Sequence, residues 1–226
     1  MDIRFTDCSV RFGERVALQP LTLEITERRV GIIGLNGSGK TTFARLINGL
    51  VKPSAGQVTV NGLDTVKDER AVLSEAGFIF QNPQNQLIMP VVADDIGFGL
   101  KNRGLKSEEI DRRTQAVLSR FGVEHLARRR VHELSGGETQ LIAMASVVVT
   151  DPKILILDEP TNQLDLRNRR RVADTIATLD EDTLVITHDL PLVENVERLL
   201  LFHEGRLAAD GSPHETIRRY HEIVGC

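Results

Sequence analysis

The sequence predicts an α/β fold built on a mainly parallel core sheet, and three observations predict it. Arg29-Val30-Gly31-Ile32-Ile33 reads as a buried strand and leads directly into Gly34-Leu35-Asn36-Gly37-Ser38-Gly39-Lys40-Thr41. That stretch fits the phosphate-cradling pattern G-x-x-x-x-G-K-[ST] at every fixed position, and a helical stretch from Thr41 to Leu50 follows it. Lys153 to Leu157 reads as a continuous apolar strand, the pattern of a strand covered on both faces of a parallel sheet, and Thr183 to Thr187 as the next buried strand. With 226 residues, the chain suits one large domain with a lobe inserted into it.

Taken in order, Phe5 to Phe12 and Val16 to Ile25 are predicted as strands with partial alternation. The phosphate-loop strand and its helix come next. Gln57 to Val60 is a short strand closed by the turn pair Asn61-Gly62, and Gly77 to Gln81 is a fifth strand broken by Asn82-Pro83. Ser107 is expected to cap a helix with Glu108 and Glu109 in its first turn. Ile110, Val117, Leu118 and Phe121 share one face of that helix. Residues 84 to 135 are therefore expected to form a mainly helical lobe within a single domain spanning 1 to 226. After it the α/β pattern resumes. Arg167 to Leu179 is a helix with Val172, Ile176 and Leu179 inward, and Leu199 to Phe202 with Arg206 to Ala208 form a closing hairpin around Glu204-Gly205.

A net charge of −4 and a pI near 5.9 give no support for nucleic-acid binding through a broad basic surface. Arg128 to Arg130 and Arg167 to Arg171 fit solvated faces. Cys8 and Cys226 are too few and too far apart for a disulfide framework, so a reducing cytoplasm is the expected compartment. The N-terminus lacks a signal-peptide pattern. Leu141 to Val149, the longest apolar run, is far too short to span a bilayer, so any work at a membrane is expected to pass through a partner.

The motifs carry the chemistry. Gly34, Gly37 and Gly39 allow a tight turn whose N–H groups point at phosphate oxygens, so Asn36, Gly37, Ser38, Gly39, Lys40, Thr41 and Thr42 are the candidate nucleotide contacts. Lys40 supplies a point charge for the β- and γ-phosphates, and Thr41 a hydroxyl for Mg²⁺. Asp158-Glu159 ends an apolar strand, at the edge of a parallel sheet where ligands bind. Asp158 suits the metal, and Glu159 suits a water-positioning or general-base role. Leu134-Ser135-Gly136-Gly137-Glu138 lies 95 residues after Lys40 and opens a helix, which makes Ser135, Gly136 and Gly137 a second anion-binding terminus.

In that order, these residues resemble the ATP-binding subunits of ATP-binding cassette (ABC) transporters. Leu134 to Glu138 is similar to the family signature L-S-G-G-[QE], Leu164-Asp165 to the D-loop, and His188 to the switch histidine at the γ-phosphate. Gln81 resembles the Q-loop glutamine, which contacts Mg²⁺ and the attacking water, and Phe12 falls where the family stacks an aromatic on adenine. The resemblance implies an ABC ATPase fold with an antiparallel N-terminal β part, ATP and Mg²⁺ as cofactors, and catalytic roles for Glu159, His188 and Gln81. Thr41, Gln81 and Asp158 would serve the metal. It also implies head-to-tail pairing with a second ATPase subunit, a homodimer being the expectation. Thr139-Gln140-Leu141 departs from the basic residue common after the signature, and Gln163 from a small D-loop residue.

Phe80 to Gln86, continuing to Met89 through Gly99, resembles the energy-coupling factor (ECF) group of vitamin and metal-ion importers. Their N-P-x-x-Q segment helps form a groove for the transmembrane partner. The compact length, Met89-Pro90 and Asn48 to Val51 are most similar to biotin-importer ATPases. The expected partners are a transmembrane coupling subunit and a substrate-binding membrane subunit, with the chain peripheral on the cytoplasmic face and no nucleic acid bound. The alternatives are the ATPase of a cobalt or nickel importer and a soluble ABC ATPase acting on nucleic acid or the ribosome. Only 94 residues separate Lys40 from Ser135, too few for the long coiled coil of DNA-maintenance members.

Overall fold

The computed structural model describes residues 1–225; Cys226 lies outside the described residues. Along the chain, β1 (Ile3–Phe12), β2 (Arg15–Ile25) and β3 (Arg29–Ile33) precede α1 (Lys40–Ile47). Next come β4 (Ala55–Val60), β5 (Leu63–Asp64), α2 (Glu69–Glu75) and β6 (Ala76–Ile79). Helices α3 (Val92–Asn102), α4 (Ser107–Arg120) and α5 (Gly136–Val148) follow, joined partly by single 3-10 turns. The last elements are β7 (Ile154–Asp158), α6 (Leu166–Ala177), β8 (Asp182–Ile186), β9 (Arg198–His203), β10 (Arg206–Gly211) and α7 (Pro213–Val224).

Contacts divide the chain into two compact units. The first takes Met1–Phe78, Lys153–Glu159 and the chain from Glu181 onward. It holds a four-stranded antiparallel sheet in the order β2-β1-β4-β5 and the larger sheet β10-β9-β3-β8-β7-β6. In the larger sheet β9, β3, β8 and β7 run parallel, and β10 closes the edge antiparallel to β9. This is the α/β arrangement the apolar runs predict: β7 is buried at all five residues and β3 at four of five. Phe43 on α1 stacks on Phe5 of β1 at 4.6 Å and meets Phe202 of β9 at 4.8 Å. One aromatic thus ties the helix after the phosphate loop to both sheets. Cys8 is a buried, free thiol, and burial pushes it up to about 11, so it stays an inert core residue.

Parallel direction decides where the loops go. Ile32 pairs with Ile186, and Ile186 with Asp158, so β3, β8 and β7 end in one row. The segments that leave them carry the phosphate loop, His188 and Glu159, and all emerge at the same sheet edge.

The second unit takes Ile79–Pro152 and Pro160–Asp180 and contains α3, α4, α5 and α6. It draws on more chain than residues 84 to 135, because α5 and α6 pack on each other and cluster with it. Ser107 is the first residue of α4 rather than its cap: Lys106 holds the N-cap position and makes no side-chain bond there. The acidic first turn of Glu108 and Glu109 is present as expected. Among the described residues no helix is long and apolar enough to cross a membrane.

Candidate functional site

In the first unit the site begins at Gly34, whose φ of +145° lies outside the region open to side chains. A Cβ there would collide with the Phe202 carbonyl of β9, so the loop lies directly against the sheet. Ser38 N–H donates to the Leu35 carbonyl at 3.1 Å, folding the loop into a turn that delivers Lys40 to the first turn of α1. Lys40 is buried, and its ammonium donates to the Gly34 carbonyl at 2.8 Å and the Leu35 carbonyl at 3.0 Å. Burial lowers its pKa, and the nearby carboxylates of Glu159 and Asp158 push the other way.

Thr41 and Asp158 meet at this edge: the Thr41 hydroxyl donates to Asp158 Oδ1 at 3.3 Å. Asp158 is buried, and desolvation raises its pKa. Glu159 follows with φ +51°, a left-handed conformation that turns its carboxylate away from the strand direction. Its Oε2 accepts from His188 Nδ1 at 2.7 Å and from the His188 backbone N–H at 3.2 Å. Two donors on one oxygen leave Oε1 as the proton acceptor this carboxylate can offer. With Nδ1 committed as donor, Nε2 can donate to an anion only in the doubly protonated ring.

The residues fit a nucleotide with its metal. The Ser38 hydroxyl is buried with no hydrogen-bond partner, an orphaned polar atom at the point where a phosphate oxygen would satisfy it. Thr41 and Asp158 present hard oxygen donors side by side. Among the described residues no group of three or more His, Cys, Asp and Glu could by itself hold a metal. Phe12, at the end of β1, is 54% exposed, so its ring is available for stacking.

The second unit carries the other sequence motifs. Ser135 caps α5 in a capping box: Glu138 N–H donates to Ser135 Oγ at 3.4 Å, and Glu138 Oε2 accepts from the Ser135 N–H at 2.8 Å. The Ser135 hydroxyl also donates to Glu138 Oε2 at 2.8 Å, so a ligand must compete with Glu138 for it. A Cβ on Gly137 would collide with Asn168 of α6, which explains glycine there by packing as well as by ligand access. Gln81, Gln84, Gly136, Gln140 and Gln163 line one cavity of about 380 Å³. Gln81 and the signature therefore border the same polar space as the D-loop, a grouping that linear spacing does not reveal.

The resemblance places Gln86 in a segment that helps form a partner's groove, and the structure gives its side chain internal partners. Gln86 Nε2 donates to the Ala143 carbonyl at 2.8 Å and to Ser146 Oγ at 3.3 Å, and Oε1 accepts from Phe80 N–H at 3.2 Å. Gln86→Leu should therefore cost about 1–3 kcal/mol in urea unfolding. Gln84→Leu, at an exposed position, should change stability by less than about 0.5 kcal/mol. Equal stability of the two variants would contradict the internal role. The exposed large apolar residue of this segment is Ile88, at 69%. Asp95, buried on α3, accepts from the N–H groups of Ile88 and Met89 at 2.7 and 2.8 Å and so fixes the loop that presents it. Met89 also lines a groove of about 890 Å³ between α3 and α4, with Ala93, Phe98, Leu105 and Ile110. Sequence reading missed Ile88 and Asp95. The available signal was an isoleucine beside a proline-containing loop, with an aspartate seven residues on.

The ABC transporter family model matches residues 18–162. The biotin transport ATP-binding protein BioM of Rhizobium etli is 63% identical over 224 residues, covering 99% of this chain and 100% of its own. An energy-coupling factor transporter ATP-binding protein of Latilactobacillus sakei is 40% identical over 212 residues, 90% of this chain and 75% of its own. The dimeric cassette MJ0796, solved in a post-hydrolysis state with ADP and Pi, matches with a TM-score of 0.82 at 26% identity, covering 93% of this chain and 98% of its own.

Proposed function

The chain belongs to the ABC transporter family, and from that membership we propose that it is the ATP-hydrolysing subunit of an energy-coupling factor importer whose cargo is biotin. The observation that carries the catalytic reading is the pairing of Glu159 with His188 at the sheet edge where Thr41 meets Asp158. The full-length likeness to a biotin transport protein supports the cargo.

In this reading the phosphate loop holds the triphosphate, with Lys40 over the β- and γ-phosphates and the Ser38 hydroxyl satisfied by a phosphate oxygen. Thr41 and Asp158 would hold Mg²⁺, which when bound would supply positive charge for phosphoryl transfer. Glu159 Oε1 orients the attacking water and takes its proton, while Oε2 keeps His188 in place beside the γ-phosphate. Phe12 stacks on the adenine. The chain carries two anion-binding loops, which supports a head-to-tail homodimer in which Ser135, Gly136 and Gly137 of one copy close over the ATP of the other. The similar cassette solved as a dimer with ADP and Pi supports the pairing of two copies.

Cargo and partners are tested in one experiment. Cells lacking biotin uptake are given this chain and its neighbouring membrane subunits, and labelled biotin is followed. Uptake should depend on the chain; cobalt or nickel accumulation in place of biotin would overturn the cargo. The same cells test the docking surface. Ile88→Asp puts a charge at the exposed apolar tip next to the α3–α4 groove. It should leave ATP hydrolysis by the isolated protein within about twofold and reduce biotin uptake at least about tenfold, since an unpaired charge in an apolar interface is costly. Full uptake with Ile88→Asp would remove this surface from the coupling path and leave the membrane subunits docked elsewhere.

A further inference from the structure

We infer that Arg15 is a second phosphate-binding cation of the nucleotide site, acting from outside the loop motif. The inference rests on ATP occupying the phosphate loop, and it concerns a residue that lies in no nucleotide motif. Arg15 begins β2 and is the register partner of Phe12 across the β1–β2 hairpin. Directly opposed residues of antiparallel strands project to the same face, so the ring of Phe12 and the guanidinium of Arg15 leave the hairpin together. The guanidinium reaches the phosphate loop: one of its terminal nitrogens lies 3.8 Å from where a Cβ on Gly37 would stand. Gly37 is the turn of that loop, with φ +79°.

Three further facts make this position a ligand contact. Arg15 is exposed, and among the described residues its side chain has neither an ion pair nor a hydrogen bond. The five donors of a guanidinium are therefore all available at the mouth of the loop. Lys40 is the loop's own cation, but its ammonium already donates to Gly34 and Leu35, and Asp158 and Glu159 oppose it with two carboxylates. A nucleotide triphosphate brings several more negative charges, so a free guanidinium beside Gly37 meets a real electrostatic need. Its planar fork suits bidentate contact with phosphate, which a single ammonium does not make. The hairpin thus grips the nucleotide at two points, Phe12 at the base and Arg15 at the phosphates.

The experiment compares the full-length wild type with Arg15→Ala and Arg15→Lys, using calorimetric titration of MgATP, MgADP and tripolyphosphate, with ATPase kinetics and thermal melting alongside. Arg15→Ala should raise the Kd for MgATP and for tripolyphosphate about tenfold, the scale of one charge-assisted hydrogen bond. The KM for ATP should rise by more than kcat falls. Arg15→Lys should recover part of the affinity, and the salt dependence of MgATP binding should be shallower in Arg15→Ala than in the wild type. Melting temperatures should agree, since the side chain makes no internal bond. Wild-type affinity for both ligands in Arg15→Ala would overturn the inference. So would equal losses in Arg15→Ala and Arg15→Lys accompanied by a lower melting temperature, which would make Arg15 structural. Failure of the wild type to bind MgATP would overturn the phosphate-loop reading itself and is seen before any variant is compared.

Discussion

Turnover in Glu159→Gln should fall by about 10² or more, with ATP still bound. The geometry makes this a clean substitution. The Gln carbonyl oxygen can replace Oε2 and go on accepting from His188 Nδ1 and the His188 backbone N–H, now at 2.7 and 3.2 Å. The amide –NH₂ must then occupy the position of Oε1. It is a donor there and cannot take a proton from water. The ring stays in place and only the base is lost. Phosphate release measures the first effect. Gel filtration in Mg-ATP measures the second: the variant should shift to a dimer, because ATP that binds the paired state and is not consumed keeps stabilising it. Undiminished turnover in a folded Glu159→Gln protein would move the base elsewhere. The remaining carboxylate at this edge is Asp158, already engaged by Thr41.

Lys40→Ala should weaken MgATP binding by about 10² or more and abolish hydrolysis with it, because the fixed charge over the β- and γ-phosphates is removed from a water-poor site. Sequence logic alone expects the fold to be indifferent, since Lys40 serves the ligand. The structure modifies that expectation. Lys40 is 6% exposed and donates to two carbonyls of its own loop, so the variant also leaves Gly34 and Leu35 without these donors. A loss of about 1–2 kcal/mol in unfolding free energy should accompany the binding defect, with helix content by circular dichroism retained. Calorimetric titration reads the first effect and denaturant unfolding the second. Unchanged ATP affinity would sink the phosphate-loop assignment.

Much of the architecture was legible because its signals are local. The apolar run Lys153–Leu157 and the buried stretch Thr183–Thr187 announce strands, and β7 and β8 lie there within one residue of those bounds. The closing hairpin around Glu204-Gly205 is also present, as β9 and β10. Short or atypical elements were not legible. Helix α2 has seven residues and only Val72 buried, too little for a period to show. Helix α3 falls inside the expected helical lobe, but its own bounds did not show, since Gly97 and Gly99 lower its helix propensity. The capping of α4 was misplaced by one residue: Lys106 has the extended backbone of an N-cap and Ser107 is already helical, a difference that composition does not encode.

The sequence by itself determined the chemical inventory: a phosphate loop, a strand-end Asp-Glu pair, a helix opened by Ser-Gly-Gly and a strand-end histidine, in an order that resembles one family. Those are matters of residue type and spacing, and spacing is covalent. Only the tertiary structure decided which groups bond to which. It joined Glu159 to His188, 29 residues apart, and Thr41 to Asp158, 117 apart. It turned Gln86 inward and left Ile88 outside. It also brought Arg15 of the N-terminal hairpin to Gly37. The physical reason is strand order: β8 lies between β3 and β7, and their parallel register sets the ends of three distant segments in one row.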